Sequence, residues 1–311
     1  MLIFCRQLQH NADYVISSQK GVVLMEKVLR VKNLYKNYGD AKILKDVSFE
    51  IEKGDIVGLI GQNGAGKTTL IDILAGVNSF ATGEVVLCNN WTPKDCEDYY
   101  NHLCIAFDQS PFYPDLSGLK NLKIYSNDDE KIEYYLKLCG LFDAKQKKVS
   151  TYSLGMKQRL NIARAFLMWN DLMIMDEPIN GLDPGIVIDI KQFIAQKCTE
   201  GFSALISSHA LKELLFFCNK FIFIHKGKII VKIDSKKDNS FEQYDSFAST
   251  DNISLKKFLK ENELPFLEID SLKTIYYKSN DEIPADIVFH SIENGTNILE
   301  NIYLQMKNLE E

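Results

Sequence analysis

From Val28 onward the run VLRVKNLYKNYGDAKILKDVSFEIEKGD alternates apolar and polar residues, most regularly between Gly39 and Gly54. Alternation at period two puts every second side chain on one face, which predicts half-buried antiparallel strands. At Asp55 the period changes. DIVGLI is a short continuous apolar run, followed by a glycine-rich turn and then by TTLIDILAG, whose apolar residues recur at helical spacing. Leu172 to Met175 (LMIM) and Phe202 to Ile206 (FSALI) repeat the short apolar run, separated by helical or charged stretches. Unbroken apolar strands suit a parallel sheet covered on both faces. The pattern predicts an α/β fold with an antiparallel flap in front of it.

Beyond about Asp234 the composition shifts to Lys, Asp, Asn, Ser and Glu, which marks a second, smaller unit over residues 234–311. Helices are expected there over Ser254–Glu261 and Ile298–Leu309, and strands near Phe266–Ile269 and Leu272–Tyr277. The main domain is expected over 25–233. Residues 1–24 read as a leader that is not native: Met25 starts the periodic run, and Lys20-Gly21-Val22 can be encoded by AAGGAGT, a ribosome-binding sequence at a workable distance from a start codon. A loosely docked N-terminal arm is the alternative.

Composition narrows the functional classes. The chain has 311 residues, is 46% apolar and carries a formal charge of −6, so it has a sizeable core and no overall basic field; a nucleic-acid partner is not expected. Its seven cysteines are scattered without a CxxC pair, which suggests neither a zinc site nor a disulfide framework and fits a reducing cytoplasm. A membrane helix needs roughly 20 apolar residues. The greasiest stretch, LLFFCNKFIFIHKGKIIV, is cut by Lys220, His225, Lys226 and Lys228. The first residues lack the leading positive charge of a secretory signal.

The chemistry is concentrated in short motifs. Gly61, Gly66, Lys67 and Thr68 satisfy G-x-x-x-x-G-K-[ST] between a predicted strand and a predicted helix. Glycines let successive backbone N–H groups curl round a polyphosphate, and Asn63, Gly64, Ala65 and Thr69 complete such a cradle. Lys67 would reach the terminal phosphates of ATP and Thr68 would offer its hydroxyl to Mg²⁺. A plain glycine turn is the bland alternative, yet the pattern arises by chance in only on the order of 1% of chains this long. LMIMDEP delivers Asp176 and Glu177 to the rim of the sheet, where ligands of α/β proteins sit. Asp176 would hold Mg²⁺ and Glu177 would orient or deprotonate an attacking water; alone, the pair could equally be a solvated strand end. YSLGMKQRL places Ser153 and Gly155 at the start of a helix that could hold an anion, or merely be capped by its serine.

With these motifs in this order, the stretch Val28 to Ile233 resembles the ATP-binding subunits of ABC transporters. The resemblance implies a P-loop NTPase of ABC type, with a mixed sheet core, an antiparallel β subdomain and a helical signature subdomain, followed here by a small α+β C-terminal domain. It implies that Ser153 and Gly155 grip the nucleotide bound at Lys67 of a second copy, so that two chains form a head-to-tail homodimer. Tyr38 resembles the aromatic residue that stacks on adenine, Gln109 the glutamine that approaches Mg²⁺ and the attacking water, and Asp183 the end of the loop that crosses the dimer interface. His209 resembles the histidine that meets the γ-phosphate. Leu154, Met156 and Ile179 depart from the usual wording. The family works with separate membrane permease subunits, which implies a peripheral place on the cytoplasmic face of the membrane. The ending LENIYL (Leu299 to Leu304) and the SLGMKQR wording resemble the bacitracin and lantibiotic exporter ATPases. Soluble ABC ATPases acting on ribosomes or DNA, a regulator that only binds ATP, and exporters of sodium ions or lipid remain alternatives.

Overall fold

The alternating stretch folds as β1 (Lys27–Tyr38) and β2 (Ala41–Glu52), antiparallel around a turn at residues 39 and 40. This is a computed structural model that describes residues 26–107, 112–179, 182–215, 218–234, 246–249, 253–261, 266–269, 272, 274–277, 290–291 and 298–308. The proposed leader lies outside the described residues. Where the pattern becomes continuously apolar, β3 (Ile56–Ile60) is buried along its whole length and leads through the glycine turn into α1 (Lys67–Leu74). β4 (Thr82–Leu87) then returns to pair with the free side of β1, which closes a three-stranded antiparallel flap in the order β2-β1-β4.

The rest of the main domain builds the central sheet. In chain order come α2 (Cys96–His102), β5 (Leu103–Ala106), α3 (Gly118–Leu122), α4 (Asp129–Leu138), α5 (Leu154–Met168), β6 (Leu172–Met175), α6 (Pro184–Thr199), β7 (Ser203–Ser208), α7 (Leu211–Leu214), β8 (Lys220–His225) and β9 (Lys228–Asp234). The sheet order is β5-β6-β7-β3-β8-β9, parallel apart from β9, which folds back antiparallel on β8. The greasy stretch around Phe221 is therefore a sheet hairpin. Among the described residues no helix is long and apolar enough to cross a membrane.

Alternate residues of each inner strand enter different cores. Val57, Leu59, Leu172, Ile174 and Leu205 pack with the flap and α1, whereas Ile56, Ile60, Met173, Met175 and Ile206 pack with α5 and α6. A sheet covered on both faces explains why these strands read as unbroken apolar runs. β7 starts one residue later than the expected Phe202 and runs on through Ser207 and Ser208, which are fully buried. An apolar pattern stops at a serine; the strand continues because those hydroxyls find partners, described below.

α5 is held to the sheet by polar bolts. Arg164 donates to the Ile105 carbonyl at 2.6 Å, and the Asn161 amide donates to that of Phe107 at 2.6 Å. Both side chains lie buried. The helix that starts at Ser153 is thereby fixed to the end of β5, directly before the segment that contains Gln109.

The C-terminal unit contains β10 (Ser246–Ser249), α8 (Ile253–Glu261), β11 (Phe266–Ile269), β12 (Thr274–Tyr277), β13 (His290–Ser291) and α9 (Ile298–Asn308), with an antiparallel sheet in the order β11-β12-β10-β13. α8 starts one residue before its expected position and β12 two residues after; Leu309 lies outside the described residues. Ile298, Leu299, Ile302 and Met306 of α9 are buried in the same apolar cluster as α5 and α6. The C-terminal elements thus share one core with the central sheet and its helices.

Candidate functional site

The phosphate-cradle sequence turns where β3 ends. A Cβ on Gly61 would stand 2.5 Å from the Ile224 carbonyl oxygen of β8, so the turn can lie this close to the sheet only with glycine. Gly66 takes φ 105° at the N-cap of α1, a left-handed conformation that glycine adopts without strain. The N-terminus of α1 opens on a cavity of about 760 Å³, walled by Asn63, Gly64, Gly66, Lys67, Thr68, Thr69, Asp176 and Glu177 among others. The first N–H groups of a helix lack partners within it, which makes such a cavity suited to an anion. Ala65 is buried behind the turn, where its carbonyl accepts from the Gly227 N–H at 2.9 Å.

Lys67 is buried, and its ammonium donates to the carbonyls of Gly61 at 2.7 Å and Gln62 at 3.3 Å while lying 3.4 Å from Glu177 Oε1. Asp176 follows β6 and is likewise buried. It accepts the Thr68 hydroxyl at 3.2 Å on one oxygen and the Ser207 hydroxyl on the other. Burial raises the Asp176 carboxyl above its ordinary range; the Ser207 and Thr68 hydrogen bonds oppose this, and the neighbouring Glu177 adds to it. Thr68 and Asp176 form a set of hard oxygen donors, which suits Mg²⁺.

Glu177 sits at φ 48°, an uncommon conformation for a side chain of its size. Its N–H donates to Ser207 Oγ at 3.0 Å, and its Oε2 lies 2.8 Å from His209 Nδ1. Glu177 and His209 come from the ends of adjacent parallel strands, so the sheet register itself brings them together. Sequence reasoning missed Ser207, which ties both carboxyl residues to β7. Its signal was the serine pair that precedes His209 in ISSHAL. It also missed Asp72, a cavity residue whose carboxyl is raised by burial and by the charge of Asp176.

Among the described residues, Tyr38, Ser153, Gly155 and Asp183 do not line this cavity. Tyr38 ends β1, half exposed, with the Lys36 ammonium 4.6 Å over its ring; one ring face is thus in use, and a base would stack on the other. Ser153 caps α5 by accepting the Met156 N–H at 3.2 Å, next to Leu154, which is 85% exposed. Neither Ser153 nor Gly155 lines the chain's own cavity. Asp183 stands at the N-cap position of α6 before Pro184, with no capping bond from its side chain. Gln109, Asn180 and Gly181 lie outside the described residues.

Comparison with known proteins finds relatives both in sequence and in fold. The family profile described as "ABC transporter" matches residues 44–180. An uncharacterized ABC transporter ATP-binding protein, YhcH of Bacillus subtilis, is 36% identical over 72% of this chain and 75% of that protein. The lantibiotic transport ATP-binding protein SrtF of Streptococcus pyogenes is 34% identical over 70% of this chain and 95% of its own length, and the bacitracin transport ATP-binding protein BcrA of Enterococcus faecalis is 32% identical over 72% and 76%. A solved ATP-binding subunit of an ABC transporter superposes with a TM-score of 0.63 at 27% identity, over 68% of this chain and 92% of that one.

Proposed function

The chain belongs to the ABC transporter family as an ATP-binding, ATP-hydrolysing subunit that serves a membrane permease, and from that premise we propose how its residues divide the work and what it moves. Residues 25–233 are the ATPase domain and 234–311 an accessory domain; the separate antiparallel sheet of the tail supports this division. The loop amides from Gly61 to Thr69 and the Lys67 ammonium hold the ATP phosphates. Thr68 and Asp176, with Gln109, hold Mg²⁺, which when bound neutralises charge on the phosphates. Tyr38 stacks on the adenine through its uncovered face.

Lys67 and His209 both lie against the Glu177 carboxylate. When ATP enters, Lys67 exchanges its carbonyl and carboxylate partners for phosphate oxygens, and His209 turns toward the same anion. Glu177 is then free to accept the proton of a water aligned with the γ-phosphate.

The observation that carries the reading is the position of Ser153 and Gly155 at the exposed start of α5, away from the chain's own cavity. Such a helix N-terminus acts on the nucleotide of a second copy, and Asp183 lies at the same interface. In a head-to-tail dimer both sites are equivalent and ATP joins the copies. α5 is bolted to β5, so closure reaches the Gln109 segment and, through the surface near Phe112 and Tyr113, the permease on the cytoplasmic face of the membrane. Since SrtF and BcrA are named for lantibiotic and bacitracin transport, we assign export of a peptide antibiotic; this step rests on likeness.

Gel filtration with ATP tests the dimer. Glu177→Gln is expected to elute as a dimer with ATP and as a monomer without it, and adding Ser153→Arg is expected to abolish the dimer. Turnover per chain that stays constant on dilution and ignores Ser153→Arg would refute it. For the cargo, co-expression with the permease is expected to raise tolerance to a panel of bacitracin-type and lantibiotic peptides. No change across the panel would refute that assignment.

A further inference from the structure

The C-terminal helix α9 touches the loop that carries His209. The Tyr303 hydroxyl donates to the His209 carbonyl at 2.7 Å. One turn earlier, on the same face, Glu300 lies 3.8 Å from Lys212 of α7. The opposite side of α9 is tied to the small sheet: Asn301 accepts the Tyr276 hydroxyl and Gln305 accepts that of Thr274, each at 2.8 Å. With Ile298, Leu299, Ile302 and Met306 in the main apolar cluster, α9 is a rigid bridge between the accessory sheet and the strand ends of the ATPase site.

The His209 turn is pinned on its own side by Ser208, whose hydroxyl oxygen accepts the Ala210 N–H at 2.9 Å and meets Glu213 at 2.6 Å. Tyr303 pins the other side, at the carbonyl of the histidine itself. Fixing that peptide fixes the base from which the imidazole swings, within reach of Glu177 and of the phosphate cavity beside it. We propose that Tyr303 is a positioning residue for hydrolysis, through which the accessory domain holds His209 in register with Glu177 and the γ-phosphate. The proposal rests on the role assigned to His209 above. It also accounts for the tyrosine in LENIYL, which reaches across from the tail to the catalytic turn. Burial and the nearby Glu177 charge push the Tyr303 hydroxyl above its ordinary range, so it remains a donor at neutral pH.

Tyr303→Phe keeps the ring and its packing and removes only the donor. In the full-length chain, kcat for ATP is expected to fall about fivefold, the rate equivalent of one ordinary hydrogen bond, as His209 is held less well in place. The KM for ATP is expected to stay at the wild-type value and the melting temperature to drop only by the equivalent of one hydrogen bond, and Tyr303→Phe is expected to have no further effect on kcat in a His209→Ala background. An unchanged or increased kcat would overturn the proposal. So would a fall in kcat accompanied by a change in KM, or an undiminished loss in the His209→Ala background. His209→Ala measured alone separates the two readings: near-wild-type turnover removes the role of the histidine and the proposal with it, whereas a large loss with a silent Tyr303→Phe removes the proposal alone.

Discussion

Lys67 and Glu177 line the same cavity with their charged groups 3.4 Å apart, so that the lysine neutralises the acid beside it. Both side chains are largely withdrawn from solvent, where a mutual interaction is screened less than at the surface. Glu177→Gln should therefore leave nucleotide binding intact while removing the proposed proton acceptor. Hydrolysis, followed as phosphate release, is expected to fall about 10²- to 10⁴-fold, the usual range for a lost general base. A rate near that of the wild type would assign water activation to another group.

Ser207 supports both carboxyl residues at once. Ser207→Ala removes the donor to Asp176 and the acceptor of the Glu177 N–H, the bond that accompanies the φ 48° conformation. Loss of such buried partners costs about 1–3 kcal/mol. We expect a lower melting temperature together with a fall in kcat of about tenfold, equivalent to ~1.4 kcal/mol in the barrier. If melting drops while kcat holds, the serine is purely structural.

Lys220 gives a pH-dependent prediction at the far end of the sheet. Its ammonium lies 2.7 Å from the buried Asp55 carboxylate and also contacts Glu52 and Asp234. Burial alone would lower its pKa, but the hydrogen bonds and charges of Asp55 and Glu52 outweigh burial and raise it. The stabilisation is thus fully present below the unfolded value of about 10.4 and is lost as pH rises through the higher folded value. Lys220→Met leaves Asp55 buried without this cation and should cost about 3–5 kcal/mol at neutral pH. Thermal melts as a function of pH should show the wild-type advantage shrinking under strongly alkaline conditions. An advantage that stays constant there would mean that the lysine acts through packing alone.

The flap, the parallel strands and the cradle were legible because each follows from local periodicity or from a motif of fixed spacing. β4 and β5 escaped notice although they are no shorter than the recognised β6, since a short run is told from a loop only by what adjoins it, and neither adjoins a motif as β3 and β6 do. Ser207 and Asp72 escaped for a different reason. A lone serine or aspartate has no chemistry until the partner it meets is known.

The order of motifs along the chain determined by itself that this is an ATP-binding cassette, because a phosphate cradle, a strand-end acid pair and a capped helix are each local in sequence. Tertiary structure alone decided that Glu177 meets Lys67 and His209, that the start of α5 does not line its own chain's cavity, and that Tyr303 reaches the His209 turn. These are contacts between residues far apart in the chain. They depend on strand register and on which faces bury together, and no local pattern of side chains encodes those distances.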